Sequence, residues 1–201
     1  MNRNDISSKL VHLTKGTWQQ AAVTFQSIVD EKRLRGGTGG INDALRCVCF
    51  SEAPISSLSV ILADPSQHGF RYAPFGVMID KHWLFEQGGR PVIYQAEEEY
   101  ELLHRQQRYR HKRYEPDKGI DFTWEREWRI QIDELDLDSK QTTLVVPNRK
   151  WEEQILSARY GSISRSAIVT HGFMSRSMVE NEWHLIVLED LGVHLPGDNA
   201  R

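Results

Sequence analysis

The stretch TWEREWRIQI, residues 123–132, constrains the fold more than any other part of the chain. On an extended backbone Trp124, Arg126, Trp128, Ile130 and Ile132 fall on one side, and Thr123, Glu125, Glu127, Arg129 and Gln131 on the other. A helix would set the two glutamates about 200° apart around its axis. A strand sets them on one face, about 6–7 Å apart. The period of two, with aromatic and β-branched residues, selects the strand. Its first face is apolar apart from Arg126, whose stem can lie along a tryptophan ring. The tryptophans then anchor the strand in a core. The opposite face presents both carboxylates to a cleft or to water, with Arg129 one step on to relieve their repulsion. A strand that needs only solubility and cross-strand ion pairs carries the same residue types, so the pattern alone names no reaction.

A half-buried strand needs partners, and the chain supplies them. LVHLT (10–14), LRCVCFS (45–51), RYAPFGVMI (71–79) and PVIYQ (91–95) read as strands, as do 142–146, 166–170 and 184–188. Residues 17–34 carry Trp18, Ala21, Ala22, Phe25, Ile28 and Val29 at helical spacing. RGGTGG (35–40) stops that helix; no lysine–serine pair follows it as in a P-loop, and it reads as a loop. Pro54 opens a further helix in PISSLSVILA. Residues 96–110 have acids early and bases late, matching a helix dipole, and 148–159 fit another helix. Residues 111–122 read as a polar loop. No repeat or low-complexity linker divides the chain. The expectation is one α+β domain over 1–201, a mixed or antiparallel sheet with flanking helices, with 140–190 packed on the rest.

The 201 residues suffice for a sizeable core, and 39% hydrophobic with 26% charged residues suits an ordinary soluble protein. No apolar run reaches about 18 residues, and MNRNDISSKL lacks the apolar middle of a secretory signal. A cytoplasmic protein with no membrane partner is expected. Cys47 and Cys49 point to opposite faces of a strand, which disfavours a disulfide, and one pair without a second is a poor zinc signature. No metal is therefore expected. The net charge of −3 argues against a protein that coats nucleic acid. A local basic run does exist in RQQRYRHKRY (105–114): Arg105, Arg108, Arg110, Lys112 and Arg113, interleaved with Tyr109 and Tyr114. It can grip phosphates and stack bases, or be a solvated helix end and loop. His171 belongs to no motif, and His184 reads as structural within a buried strand.

Three further stretches carry a resemblance. LVHLT puts His12 and Thr14 on one face of a first strand. CVCFSEAPISSL places Phe50 and Ser51 at the end of a second, before a proline-started helix. FGVMIDKHWLFEQGGRPVIYQ (75–95) is a long and unusual string. With WEREWRI, their order and wording resemble the AbiGi abortive-infection family of bacterial phage-defence proteins, over roughly residues 10–132. They also resemble an uncharacterised bacterial family with a similar EWR strand. More distantly, the layout is similar to the ADP-ribosyltransferase fold. There a first strand carries His or Arg, a second an aromatic or Ser-Thr-Ser element, and a later one the catalytic Glu. His12 with Thr14 matches the first motif and the pair Glu125 and Glu127 the last; Phe50-Ser51 matches the second loosely, without Ser-Thr-Ser.

The resemblance implies NAD as substrate and cleavage of the bond between nicotinamide and ribose, with ADP-ribose passed to a macromolecular acceptor, protein or nucleic acid. Positive charge builds on the sugar, as in glycoside cleavage, and a preorganised carboxylate beside it lowers the barrier. It implies Glu127 as the catalytic carboxylate, also holding a ribose hydroxyl, and Glu125 as the group that orients or deprotonates the acceptor. His12 would hold the ribose or nicotinamide end with Thr14 or Ser51. Tyr72 and Tyr94 are alternative stacking partners. Arg90 either binds pyrophosphate or closes a turn, and Ser51 can instead cap a helix. Two rival classes remain open at this stage: a nucleic-acid-binding protein or nuclease using 105–114, and a non-catalytic partner module such as an antitoxin.

Overall fold

The computed structural model describes residues 7–54, 57, 62, 72–157 and 183–193. The strand expected at 166–170, His171 and the chain ends lie outside these residues. Of the helix opened by Pro54, Ser57 and Leu62 are described, and both are helical.

Among the described residues a seven-stranded mixed sheet organises the fold. It contains β1 (Lys9–Lys15), β3 (Cys47–Ser51), β4 (Tyr72–Asp80), β5 (Arg90–Pro91), β8 (Glu127–Gln131), β10 (Thr143–Val146) and β11 (His184–Val187). The spatial order is β11-β10-β4-β1-β3-β8-β5. Among the described residues the β10–β11 pair is parallel and the other pairings in this sheet are antiparallel. Two small ribbons flank it: β2 (Arg33–Arg35) with β9 (Glu134–Asp136), and β6 (Ile93–Gln95) with β7 (His111–Arg113). The α+β class expected from the sequence is observed, and β10 and β11 join the same sheet as the strands of the first 132 residues.

Strand β4 explains why the sheet is covered on both sides. Its residues 73–79 are all buried. Phe75, Val77 and Ile79 enter the larger core with Leu10, Phe25, Val48, Phe50, Ile130 and Leu144. Met78 joins Val11, Leu13, Val145 and Leu188 on the opposite face. Alternation thus feeds two cores from one strand. Helix α1 (Trp18–Glu31) covers the first face with Ala21, Phe25, Ile28 and Val29. Thr17 caps it in a reciprocal capping box with Gln20, and Lys32 ends it in the left-handed region at φ 53°. The expected helical face holds except at Trp18, which is 39% exposed while its ring edge meets Phe75 at 5.1 Å. Helix α2 (Lys81–Glu86), capped by Asp80, fills the connection after β4. Residues 149–157 form helix α3, whose Trp151 packs against Phe75 at 4.7 Å.

Five expectations need correction. Residues 91–95 are not one strand, since Arg90–Pro91 belongs to the large sheet and Ile93–Gln95 to a ribbon. Residues 111–122 are not loop throughout, since His111–Arg113 form β7. Residues 96–110 are two 3-10 helices, Glu97–Leu102 and Arg105–Arg110, broken at Leu103–His104. The strand expected at 123–132 begins only at Glu127: Thr123–Glu125 form a 3-10 turn and Arg126 adopts φ 44°, ψ 52°. His184 is exposed on β11 rather than buried.

Candidate functional site

The corrected strand start does not separate the two glutamates. Glu127 opens β8 opposite Ser51 of β3, and Ser51 stands opposite Val11 of β1. Directly opposed residues share a face, so Val11, Ser51 and Glu127 form one row across three strands. Cys49 and Arg129 form the next. The turn at Thr123–Glu125 folds Glu125 back over this face. It is pinned by Ser51 Oγ, which donates to the Glu125 carbonyl at 2.6 Å, and by Asp121, which accepts from the Thr123 backbone N–H and hydroxyl. The sheet face and the turn enclose a cavity of about 430 Å³, lined among others by His12, Ser51, Tyr72, Lys112, Glu125 and Glu127. That is the size range of small-molecule sites.

The repulsion between the carboxylates is resolved by two cations. Arg129 is buried, donates through Nε to Glu127 Oε1 at 2.7 Å, and gives Nη1 to the carbonyls of Tyr109 and His111. Lys112, from β7, bridges the pair: its ammonium lies 2.9 Å from Glu127 Oε2 and 3.1 Å from Glu125 Oε2. Tyr72 Oη donates to Glu125 Oε1 at 3.0 Å. Burial alone would raise the Glu127 carboxyl, but Arg129 and Lys112 overcome it and hold the pKa at about 2. Burial likewise works against the Lys112 and Arg129 charges, and the glutamates outweigh it, raising both. Tyr72 is raised by burial and then by Glu125, so its hydroxyl keeps its proton.

His12 reaches the cavity by a different route. Its strand position directs it to the core face, where its ring meets Phe50 edge-on at 5.8 Å. Strands β1 and β3 pair at Val11↔Ser51 alone. Beyond that point the His12 ring bridges them, with Nδ1 2.8 Å from the Cys49 carbonyl. A carbonyl only accepts, so Nδ1 carries the proton and Nε2 is the acceptor of the neutral ring. Burial lowers the imidazole pKa below its ordinary 6.5; the bond to Cys49 opposes the shift and Lys15 adds to it.

Of the residues expected at the site, the structure brings together His12, Ser51, Tyr72, Glu125 and Glu127 on one cavity. Three lie outside its lining. Thr14 is buried and donates to the Phe75 carbonyl. Arg90 gives Nη1 to the carbonyls of Phe85 and Gly89 and stacks over the Phe85 ring at 3.9 Å, so it closes the turn. Tyr94 Oη accepts from the Glu127 backbone N–H and donates to the Phe122 carbonyl, which positions the start of β8. Sequence reasoning missed Lys112 as part of the site, having read it within a basic run that either grips phosphates or is a solvated helix end and loop. It also placed Trp124 in the core, whereas Trp124 is 44% exposed on the cavity lining. A signal for Lys112 was present: two glutamates on one face with one arginine leave an uncompensated charge, and the basic run can supply a cation.

Of the rest of that run, Arg105 and Arg113 are exposed and Arg108 and Arg110 half-buried. Arg108 pairs with Glu101 and Asp43, Arg110 Nε donates to the Pro91 carbonyl, and Arg113 pairs with Glu115. Burial raises Cys47 and Cys49 to about 11 and 12, so neither is a nucleophile at neutral pH. Among the described residues no group of three or more His, Cys, Asp or Glu side chains is placed to hold a metal ion. No helix among them is long and apolar enough to cross a membrane. Comparison with protein families, with curated proteins and with solved structures finds no match.

Proposed function

We propose that this protein cleaves the nicotinamide–ribose bond of NAD and transfers ADP-ribose to a macromolecule. The single observation that carries the reading is the convergence of His12, Glu125 and Glu127 on one cavity with Ser51 and Tyr72. In this reading the ribose sits against Glu127. The carbon–nitrogen bond breaks, its electron pair leaves with the ring nitrogen, and nicotinamide departs neutral. The positive charge left on the sugar faces a carboxylate that never protonates near neutral pH and that Arg129 fixes before the reaction begins. A carboxylate held this way stabilises charge without reorganising. It has about four acceptor sites, filled in the free protein by Arg129 Nε and Nη2, Lys112 and the Cys49 thiol, so a ribose hydroxyl takes the site that Lys112 gives up. His12 Nε2 accepts from another hydroxyl. Glu125, oriented by Tyr72 and Ser51, positions the acceptor, whose oxygen or nitrogen bonds to the sugar carbon while its proton passes to the Glu125 carboxylate.

A role as a phage-defence or toxin effector, with an antitoxin or defence partner, rests on the resemblance to abortive-infection proteins. The rival reading as a nucleic-acid grip or nuclease loses support from the pairing of Arg108, Arg110, Lys112 and Arg113 with groups of the same chain.

Incubation with NAD labelled in nicotinamide is expected to release nicotinamide. Glu127→Gln is expected to lower the rate at least 100-fold, the scale of losing one preorganised charge-stabilising group, with circular dichroism showing the folded state. Turnover unchanged in that variant, or magnesium-dependent nucleic-acid cleavage in place of nicotinamide release, would sink the reading.

A further inference from the structure

Lys112 occupies a position suited to a ligand's positive charge. Its ammonium touches Glu125 and Glu127 and lies 4.6 Å from the centre of the Phe122 ring. Two carboxylates and an aromatic face are the surroundings that select a desolvated organic cation. The same cavity repeats the theme: Lys15 lies 4.9 Å over the Tyr72 ring. Arg129 and Lys112 are not equivalent partners of the glutamates. Arg129 is fixed beneath the site by two backbone carbonyls. Lys112 stands in the cavity wall on a flexible four-carbon stem, and its strand β7 belongs to a separate two-stranded ribbon. With Arg129 in place the two glutamates retain one net negative charge. Lys112 neutralises it, and any other monocation of suitable shape can do the same.

We propose that Glu125, Glu127 and Phe122 form a cation seat, that Lys112 is its internal counter-ion, and that the ligand group taken there is a flat, delocalised organic cation of the N-alkylpyridinium class, which displaces the ammonium. This rests on and deepens the reading of NAD as substrate, since the nicotinamide end of NAD is such a cation. The exchange conserves charge: one cation enters and one leaves. Uncharged nicotinamide cannot make the exchange, because displacing Lys112 would leave a carboxylate unpaired. Cleavage therefore provides its own release. Once the ring nitrogen takes the bonding pair, the product loses its hold on the seat and Lys112 returns.

The test uses the full chain, the 1-methylnicotinamide cation, and uncharged nicotinamide as control. Lys112 acylation by an amine-directed reagent, read by mass spectrometry, is expected to rise several-fold with the cation and to stay unchanged with nicotinamide. Lys112→Met is expected to bind the cation about tenfold more tightly, because an internal competitor has been removed. Lys112 remaining equally unreactive at saturating cation, equal binding of the uncharged ring, or no binding of the cation overturns the proposal. Should the variant fail to fold, the wild-type labelling decides alone. Nicotinamide release from NAD without any change in Lys112 reactivity would overturn the seat and leave the enzyme reading standing. Exposure of Lys112 by the cation without NAD turnover would do the reverse.

Discussion

Glu127 and Arg129 are the residues on which the site is built, and their pairing was readable from spacing two on one strand. What spacing did not convey is that this polar face is buried. Arg129 is 1% exposed and Glu127 8%, so their interaction is scarcely screened. Breaking such a pair from one side leaves an uncompensated buried charge. Arg129→Met is expected to lower stability by about 3–5 kcal/mol, checked by the urea midpoint against wild type; a loss under about 1 kcal/mol would mean that Lys112 alone satisfies Glu127. Thr14, Arg90 and Tyr94 show the opposite limit. Each is a residue type that serves catalysis or structure equally well, and only its neighbours decide which. Carbonyls surround all three, and their polar hydrogens go to those carbonyls.

At the level of elements, strand periodicity was legible wherever a strand is flanked on both sides, as in β1, β3, β4 and β10. It failed at residues 123–126. There the alternating pattern continues while the backbone turns, because Ser51 and Tyr94 draw the chain into a 3-10 turn that no local propensity announces. The same applies to β2, β7 and β9. These are three-residue strands whose partners are distant in sequence, and too short to carry a period. The β1–β4 pairing holds His12 in place and depends on Gly76. A Cβ there would lie 2.2 Å from the His12 carbonyl oxygen, a backbone atom that cannot yield cheaply. Gly76→Ala is expected to cost about 3 kcal/mol or more, at the upper end of overpacking, visible as a drop in melting temperature. A neutral result would show that β1 can shift, and with it the cavity.

For the whole molecule, the buried charges set the response to acid. Glu127 has its pKa depressed from 4.5 to about 2 in the folded state. Its stabilising contribution is complete above about pH 4.5 and is lost as pH falls towards 2. The size is roughly 3 kcal/mol. His12, lowered from 6.5, acts in the same direction, because the unfolded imidazole takes a proton before the folded one does. Urea midpoints at pH 7, 4.5, 3 and 2 are expected to fall steeply over the last three, and Glu127→Gln is expected to flatten that slope. A slope unchanged by the variant would remove Glu127 as the titrating group.

The sequence by itself determined the α+β class, the helix that covers the sheet, the strands near 10–14, 45–51 and 71–79 and the closeness of two carboxylates to an arginine, because these depend on periods of two and 3.6 within short windows. Only the tertiary structure decided that Lys112 bridges the carboxylates, that His12 bridges the opening between β1 and β3, and that Glu127 and Arg129 of β8 are buried. Those facts depend on strands far apart in the chain, and pairing register across a sheet leaves no periodic trace in any one of them.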